Sequence, residues 1–110
     1  MIREFSQYTL ILSNKPKDVF DYYDVVEMHG LNIHSDIDGF CNVSPIDNKP
    51  FVYINLSKCT GDIHTMGLVM HETMYLASYL WNHNLIDHEE AMITFAELEA
   101  YKIVQLIKAK

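Results

Sequence analysis

Two long stretches dominate the pattern of apolar and polar positions. Residues 63–82 and 88–108 repeat apolar side chains at intervals of three and four, the period of an amphipathic helix. The first opens at Thr60-Gly61-Asp62, where Thr60 or Asp62 is the expected cap. A turn over His83-Asn84-Leu85-Ile86 leads to the second, with Asp87 as its expected cap and Glu89 and Glu90 in its first turn. Upstream the runs are shorter. Tyr8-Thr9-Leu10-Ile11-Leu12 is rich in β-formers and predicts a strand. Ser13-Asn14-Lys15-Pro16 is a turn, and residues 18–29 predict a helix, with Val19, Tyr22, Tyr23 and Val26 at helical spacing and Gly30 as the stop. Residues 30–50 are irregular and rich in turn chemistry. Phe40-Cys41-Asn42-Val43 and Phe51-Val52-Tyr53-Ile54-Asn55-Leu56 predict two strands of a hairpin with a long loop. In the second of these Phe51, Tyr53 and Asn55 alternate with Val52, Ile54 and Leu56, so one face is expected to be the more apolar.

These elements predict an α+β fold in which a small antiparallel or mixed sheet is packed on two long C-terminal helices. The 110 residues fit a single domain, 1–110. With 49% hydrophobic and 21% charged residues, the chain has enough apolar material for a core without cross-links. Cys41 and Cys59 are accordingly expected to be reduced, part-buried thiols. The net charge of −7 argues against a nucleic-acid partner, whose phosphates require a basic surface. Lys102, Lys108 and Lys110 suit the C-terminal end of a helix and need no other explanation. No signal peptide is visible in residues 1–12, and no apolar run approaches the roughly 20 residues of a membrane span. The expected location is therefore the cytoplasm, with no membrane partner.

The chemistry is concentrated on the first long helix. At 100° per residue, Val69, Leu76 and Leu80 share one side, adjoined by Ile63, Met66, Met70, Ala77 and Trp81. The opposite side carries His64, Gly67, His71, Tyr75, Ser78 and Asn82, with Glu72 beside it. These are not the lysines and glutamates that usually solvate a helix, and His71 and Tyr75, four apart, converge.

The run His71-Glu72-Thr73-Met74-Tyr75 resembles the His-Glu-x-x-His motif of the zincin metallopeptidases. There two imidazoles at i and i+4 hold one zinc ion, and the glutamate beside the first holds and deprotonates the attacking water. The resemblance places His71 as the first ligand and Glu72 as the base. It places Tyr75 where the second histidine would stand, and neutral tyrosine is a poor zinc ligand. In the glutamate-type branch a third ligand comes from the following helix. Glu97 is the candidate, at the edge of the apolar stripe of Ile93, Ala96, Ala100, Ile103, Val104 and Ile107. The candidate site is thus Glu72 and Tyr75 in the catalytic positions and His71 and Glu97 as metal ligands. The resemblance covers about half the chain. It implies a minimal, degenerate zincin-like domain without a resident cofactor, binding a peptide or protein partner through the former cleft. The alternatives are a zinc peptidase with an atypical ligand set and a homo-oligomer formed through the His-Tyr face. Tyrosine and methionine are favoured at interfaces, and the chain has 7 Tyr and 6 Met. Elsewhere, His88-Glu89 sits at a helix start where the dipole explains the acid, and Asp36-Ile37-Asp38-Gly39 lacks the ligands of a calcium loop and is a turn.

Overall fold

The structure, a computed structural model, describes residues 1–109. Its elements are β1 (Ile2–Glu4), β2 (Thr9–Ser13), α1 (Lys17–Tyr23), β3 (Gly39–Val43), β4 (Pro50–Asn55), α2 (Asp62–Asn82) and α3 (Glu89–Lys108), with a 3₁₀ turn at Leu56–Lys58. The fold is α+β, one four-stranded mixed sheet and three helices, the two C-terminal ones long. The chain divides into two compact units, one over Met1–Lys58 and a helical one that starts at Cys59.

In the first unit the strand order is β1-β2-β4-β3. The β3–β4 hairpin is antiparallel, as is β1–β2, while β2 and β4 run parallel at the centre with Ile11 beside Tyr53. A parallel pair needs a long crossover, and α1 with the irregular segment after it supplies one. The alternation in β4 does not separate an apolar face from a wet one. Leu10, Leu12, Val52 and Ile54 on one face and Ile11, Phe51 and Tyr53 on the other are all fully buried. Central strands in parallel pairing are covered on both sides, which removes the contrast that alternation would otherwise mark. On the second face, Val19, Phe20 and Tyr23 of α1 join Ile11, Phe51, Tyr53 and Leu31 in one cluster. Burying each of these large side chains stabilises the unit by about 1.5–3 kcal/mol before entropy is counted.

The helix expected over residues 18–29 ends at Tyr23. Asp24 turns left-handed (φ 54°, ψ 50°), and the Val25 N–H donates to Phe20 O at 3.1 Å. Aspartate tolerates this conformation better than most residues, so the chain stops without a glycine. Val26, counted into the helical pattern, is 90% exposed. The strand β1 lies outside the predicted elements. Its carboxylate Glu4 accepts from Lys49 Nζ (2.8 Å), Tyr22 Oη (2.5 Å) and Thr9 Oγ1 (2.8 Å), tying the strand to three other segments. The Lys49 bond first, then Tyr22 and Thr9, hold its acid down to about 2 from an ordinary value of 4.5. A carboxyl depressed on folding stabilises above its unfolded value and loses that contribution as pH falls toward the folded one. The stability deficit of Glu4→Gln is therefore expected to be full at neutral pH and to shrink between about 4.5 and about 2. Glu4 is half exposed, so solvent screening keeps the effect small. Melting curves of wild type and variant across that range check it, and a deficit that does not change with pH counts against the network.

In the second unit α2 and α3 form an antiparallel hairpin. Asp62 Oδ1 at the start of α2 lies 3.6 Å from Lys108 Nζ at the end of α3. The helices fall within a residue or two of their predicted bounds, but both caps differ. Gly61 precedes α2 and no side chain caps it. His88, not Asp87, caps α3, its Nδ1 accepting from the Ala91 N–H at 3.3 Å. The buried face of α2 is Thr65, Leu68, Val69, Glu72, Thr73, Leu76, Ala77 and Leu80. That face is rotated from the arc that the apolar pattern predicts. Ile63 is 92% exposed, and Met66 and Trp81 also stand in solvent. In α3 the buried set is Met92, Ala96, Ala100, Ile103 and Val104, while Ile93 is exposed and Ile107 half-buried. Among the described residues no helix is long and apolar enough to cross a membrane.

Candidate functional site

The uninterrupted run of α2 fixes where each motif residue points. Residues four apart differ by about 40° around the axis, so His71 and Tyr75 stand one above the other. Their rings meet edge to face, with centroids 5.0 Å apart and planes at 74°. Tyr75 is 59% exposed, and His71 is exposed beside it. Glu72, about 100° further round, belongs to the opposite environment. It lies on the buried face of α2 with Leu68, Val69 and Leu76, at 7% exposure, and is engaged in interactions there. A carboxylate so placed must be partnered to be tolerated.

Glu97 is exposed on α3. Among the described residues no three of the His, Cys, Asp and Glu side chains come close enough together to hold a metal ion. The structure thus brings His71 and Tyr75 together and places Glu72 inside and Glu97 outside. His64 is exposed, and His83 stacks on Tyr79 at 4.1 Å with its Nδ1 2.9 Å from Tyr79 O. Cys41 and Cys59 are half-buried thiols. The Asp36–Gly39 segment serves the fold. Asp36 pairs with Lys58 at 2.8 Å, and the Asp38 carbonyl accepts from the Asn55 N–H at 2.8 Å.

Around the His71–Tyr75 pair the surface is grooved. An open depression of about 520 Å³ is lined by Gly67, Met70, His71, Met74, Tyr75 and Ser78, all on the outward side of α2. Met70 and Met74 make one wall, and His71 and Tyr75 the other. Gly67 and Ser78, the small residues, leave the floor low. Comparison with protein-family models, curated proteins and solved structures finds no match. The chemistry of the groove must therefore be read from its own residues. It offers two flexible thioethers, a phenol, an imidazole and exposed helix backbone at Gly67. That set suits an apolar side chain with a polar neighbour better than it suits a metal.

Sequence reasoning found the His-Tyr wall but assigned Met66 and Met70 to the core. The one signal that could have placed them outside is Gly67. A glycine in mid-helix weakens the helix. A Cβ added at Gly67 would meet no atom within 4 Å. Nothing in the folded chain requires glycine there. Gly67→Ala is expected to raise stability by about 0.5–1 kcal/mol, read as an upward shift of the denaturant midpoint at unchanged slope. A loss of stability would show that the position is constrained within the fold after all.

Proposed function

We propose that the chain is a non-catalytic, zincin-like binding domain that takes a peptide or protein partner on the outward face of α2. The observation that carries the reading is the groove between the Met70–Met74 and His71–Tyr75 walls, floored by Gly67. Three features support it. Tyr75 stands where a metal-binding helix of this kind would need a second imidazole, and its ring is packed against the one imidazole that remains. Glu72, the residue in the position of the water-activating base, is buried and already engaged. The helix leaves unburied the two residue types, Met and Tyr, that adapt well to a partner surface.

Peptides selected from a displayed random library on wild-type protein, then counter-screened on Gly67→Trp, test this reading. A Cβ at Gly67 meets no atom within 4 Å, so the tryptophan side chain can extend from the helix into the floor of the groove. Peptides that bind wild type and lose at least tenfold in affinity on the variant are the expected outcome. A library that yields only peptides indifferent to the variant sinks it.

A further inference from the structure

The charge of the helical unit is not evenly spread. Between Cys59 and Tyr101 the sequence has seven carboxylates (Asp62, Glu72, Asp87, Glu89, Glu90, Glu97 and Glu99) and no lysine or arginine. The lysines that follow offset the Asp62 end of the hairpin and the middle of α3. Lys108 pairs with Asp62 at 3.6 Å, and Lys102 pairs with Glu99 at 2.5 Å. Asp87, Glu89, Glu90 and Glu97 are exposed, and among the described residues no ion pair is recorded for them. Asn82 closes α2 just before Glu89 opens α3, and Asp62 meets Lys108 at the other end, so heights along the two helices correspond. On that scale Trp81 is level with Glu89, Ser78 with Met92 and Met74 with Ala96. The groove therefore lies between an end of the hairpin neutralised at Asp62 and an end where Asp87, Glu89 and Glu90 face no lysine or arginine of this unit.

Its apolar wall runs the same way. Ile63, Met66, Met70, Met74 and Trp81 follow one another at intervals of three, four and seven along one flank of α2, and none is fully buried. This is a stripe about 27 Å long at the helical rise of 1.5 Å per residue. Such a stripe matches the i, i+4, i+7 anchors of a second helix laid alongside, and the missing side chain at Gly67 lets its backbone come close. A second copy of this chain would bring another −7 charge and the same acidic end to the contact. A cationic partner would gain from the field that a second copy would oppose.

We infer that the occupant of the α2 groove is a basic amphipathic helix, apolar along one stripe and rich in lysine or arginine elsewhere. This deepens the reading of α2 as a partner-binding face and rests on it. Methionine walls accept varied apolar anchors by changing rotamer, so recognition would depend on the charge pattern and the stripe more than on one sequence.

The test uses two synthetic 18-residue peptides, one with leucine at helical spacing and lysine elsewhere, the other with glutamate in place of every lysine. Each is titrated onto the full chain. The lysine peptide is expected to bind at least tenfold more tightly than the glutamate peptide, and more weakly as salt is raised. Gly67→Trp and, independently, Met74→Lys are expected to weaken it at least tenfold, and the pair Glu90→Gln with Glu97→Gln several-fold. Circular dichroism confirms that each variant is helical. Equal binding of the two peptides overturns the inference, and so does lysine-peptide binding that ignores both groove variants. Sedimentation of a dimer that Gly67→Trp dissociates would make a second copy the occupant and overturn it as well. Library peptides that are sensitive to Gly67→Trp but neutral or acidic would remove the basic partner and leave the binding face standing.

Discussion

Phe51→Ala is expected to destabilise the protein by about 3–5 kcal/mol, the cost of emptying a fully buried aromatic site. The ring sits on β4 with its centroid 5.3 Å from Tyr23 and 6.0 Å from Phe40, so it joins the helix α1 to both strands of the hairpin. Alanine would remove those two ring contacts and leave Ile11, Val19 and Tyr53 facing a void. Rigid strands cannot collapse into such a space, so the cavity adds to the lost transfer energy. Small domains are stable by about 5–15 kcal/mol in total, and the variant should melt more than about 10 °C lower. A fall under about 1 kcal/mol would mean that the cluster is not the core of its unit.

The second large effect is a gain. Tyr75→His would set two imidazoles four residues apart on an exposed helix face, where the present rings already lie 5.0 Å from each other. Two imidazoles at that spacing chelate a zinc ion far better than one. Zinc affinity is expected to rise about a hundredfold over wild type, about 2.7 kcal/mol. Adding Glu97→Ala to that variant reads how far the metallopeptidase resemblance extends. A further tenfold loss would carry it to the third ligand on α3, and no change would confine it to α2. If Tyr75→His binds zinc no better than wild type, the two side chains do not converge as the helix geometry requires.

Where the sequence was legible, one physical period governed the residues. Over 63–82 and 88–108 the apolar spacing, the turn between them and the acids at the start of α3 agree, and the helices lie within a residue or two of those bounds. β1 was not legible because its three residues are exposed and its pairing, Ile2 with Ile11, is set by register and not by composition. The rotation of α2 was misread because polar residues occupy its buried face. Val69, Leu76, Ala77 and Leu80 are buried as the pattern predicts, but Thr65, Glu72 and Thr73 also lie inside while Ile63, Met66 and Trp81 lie outside, so apolar character alone set the arc too far to one side. The Thr73 hydroxyl satisfies itself on the Met70 carbonyl at 3.2 Å, an interaction that leaves no trace in hydropathy. At the site, the convergence of His71 and Tyr75 followed from spacing alone. The interior position of Glu72 did not, because it depends on what the rest of the chain covers.

The outward face of α2 is tested most directly by titrating one selected peptide onto three proteins: wild type, Gly67→Trp and Lys17→Ala. Lys17 lies exposed on α1, where it pairs with Asp21 one turn away, and serves as the control. The predicted result is unchanged affinity for Lys17→Ala and at least a tenfold loss for Gly67→Trp. Equal affinity for all three would contradict the assignment of partner binding to the groove beside His71 and Tyr75.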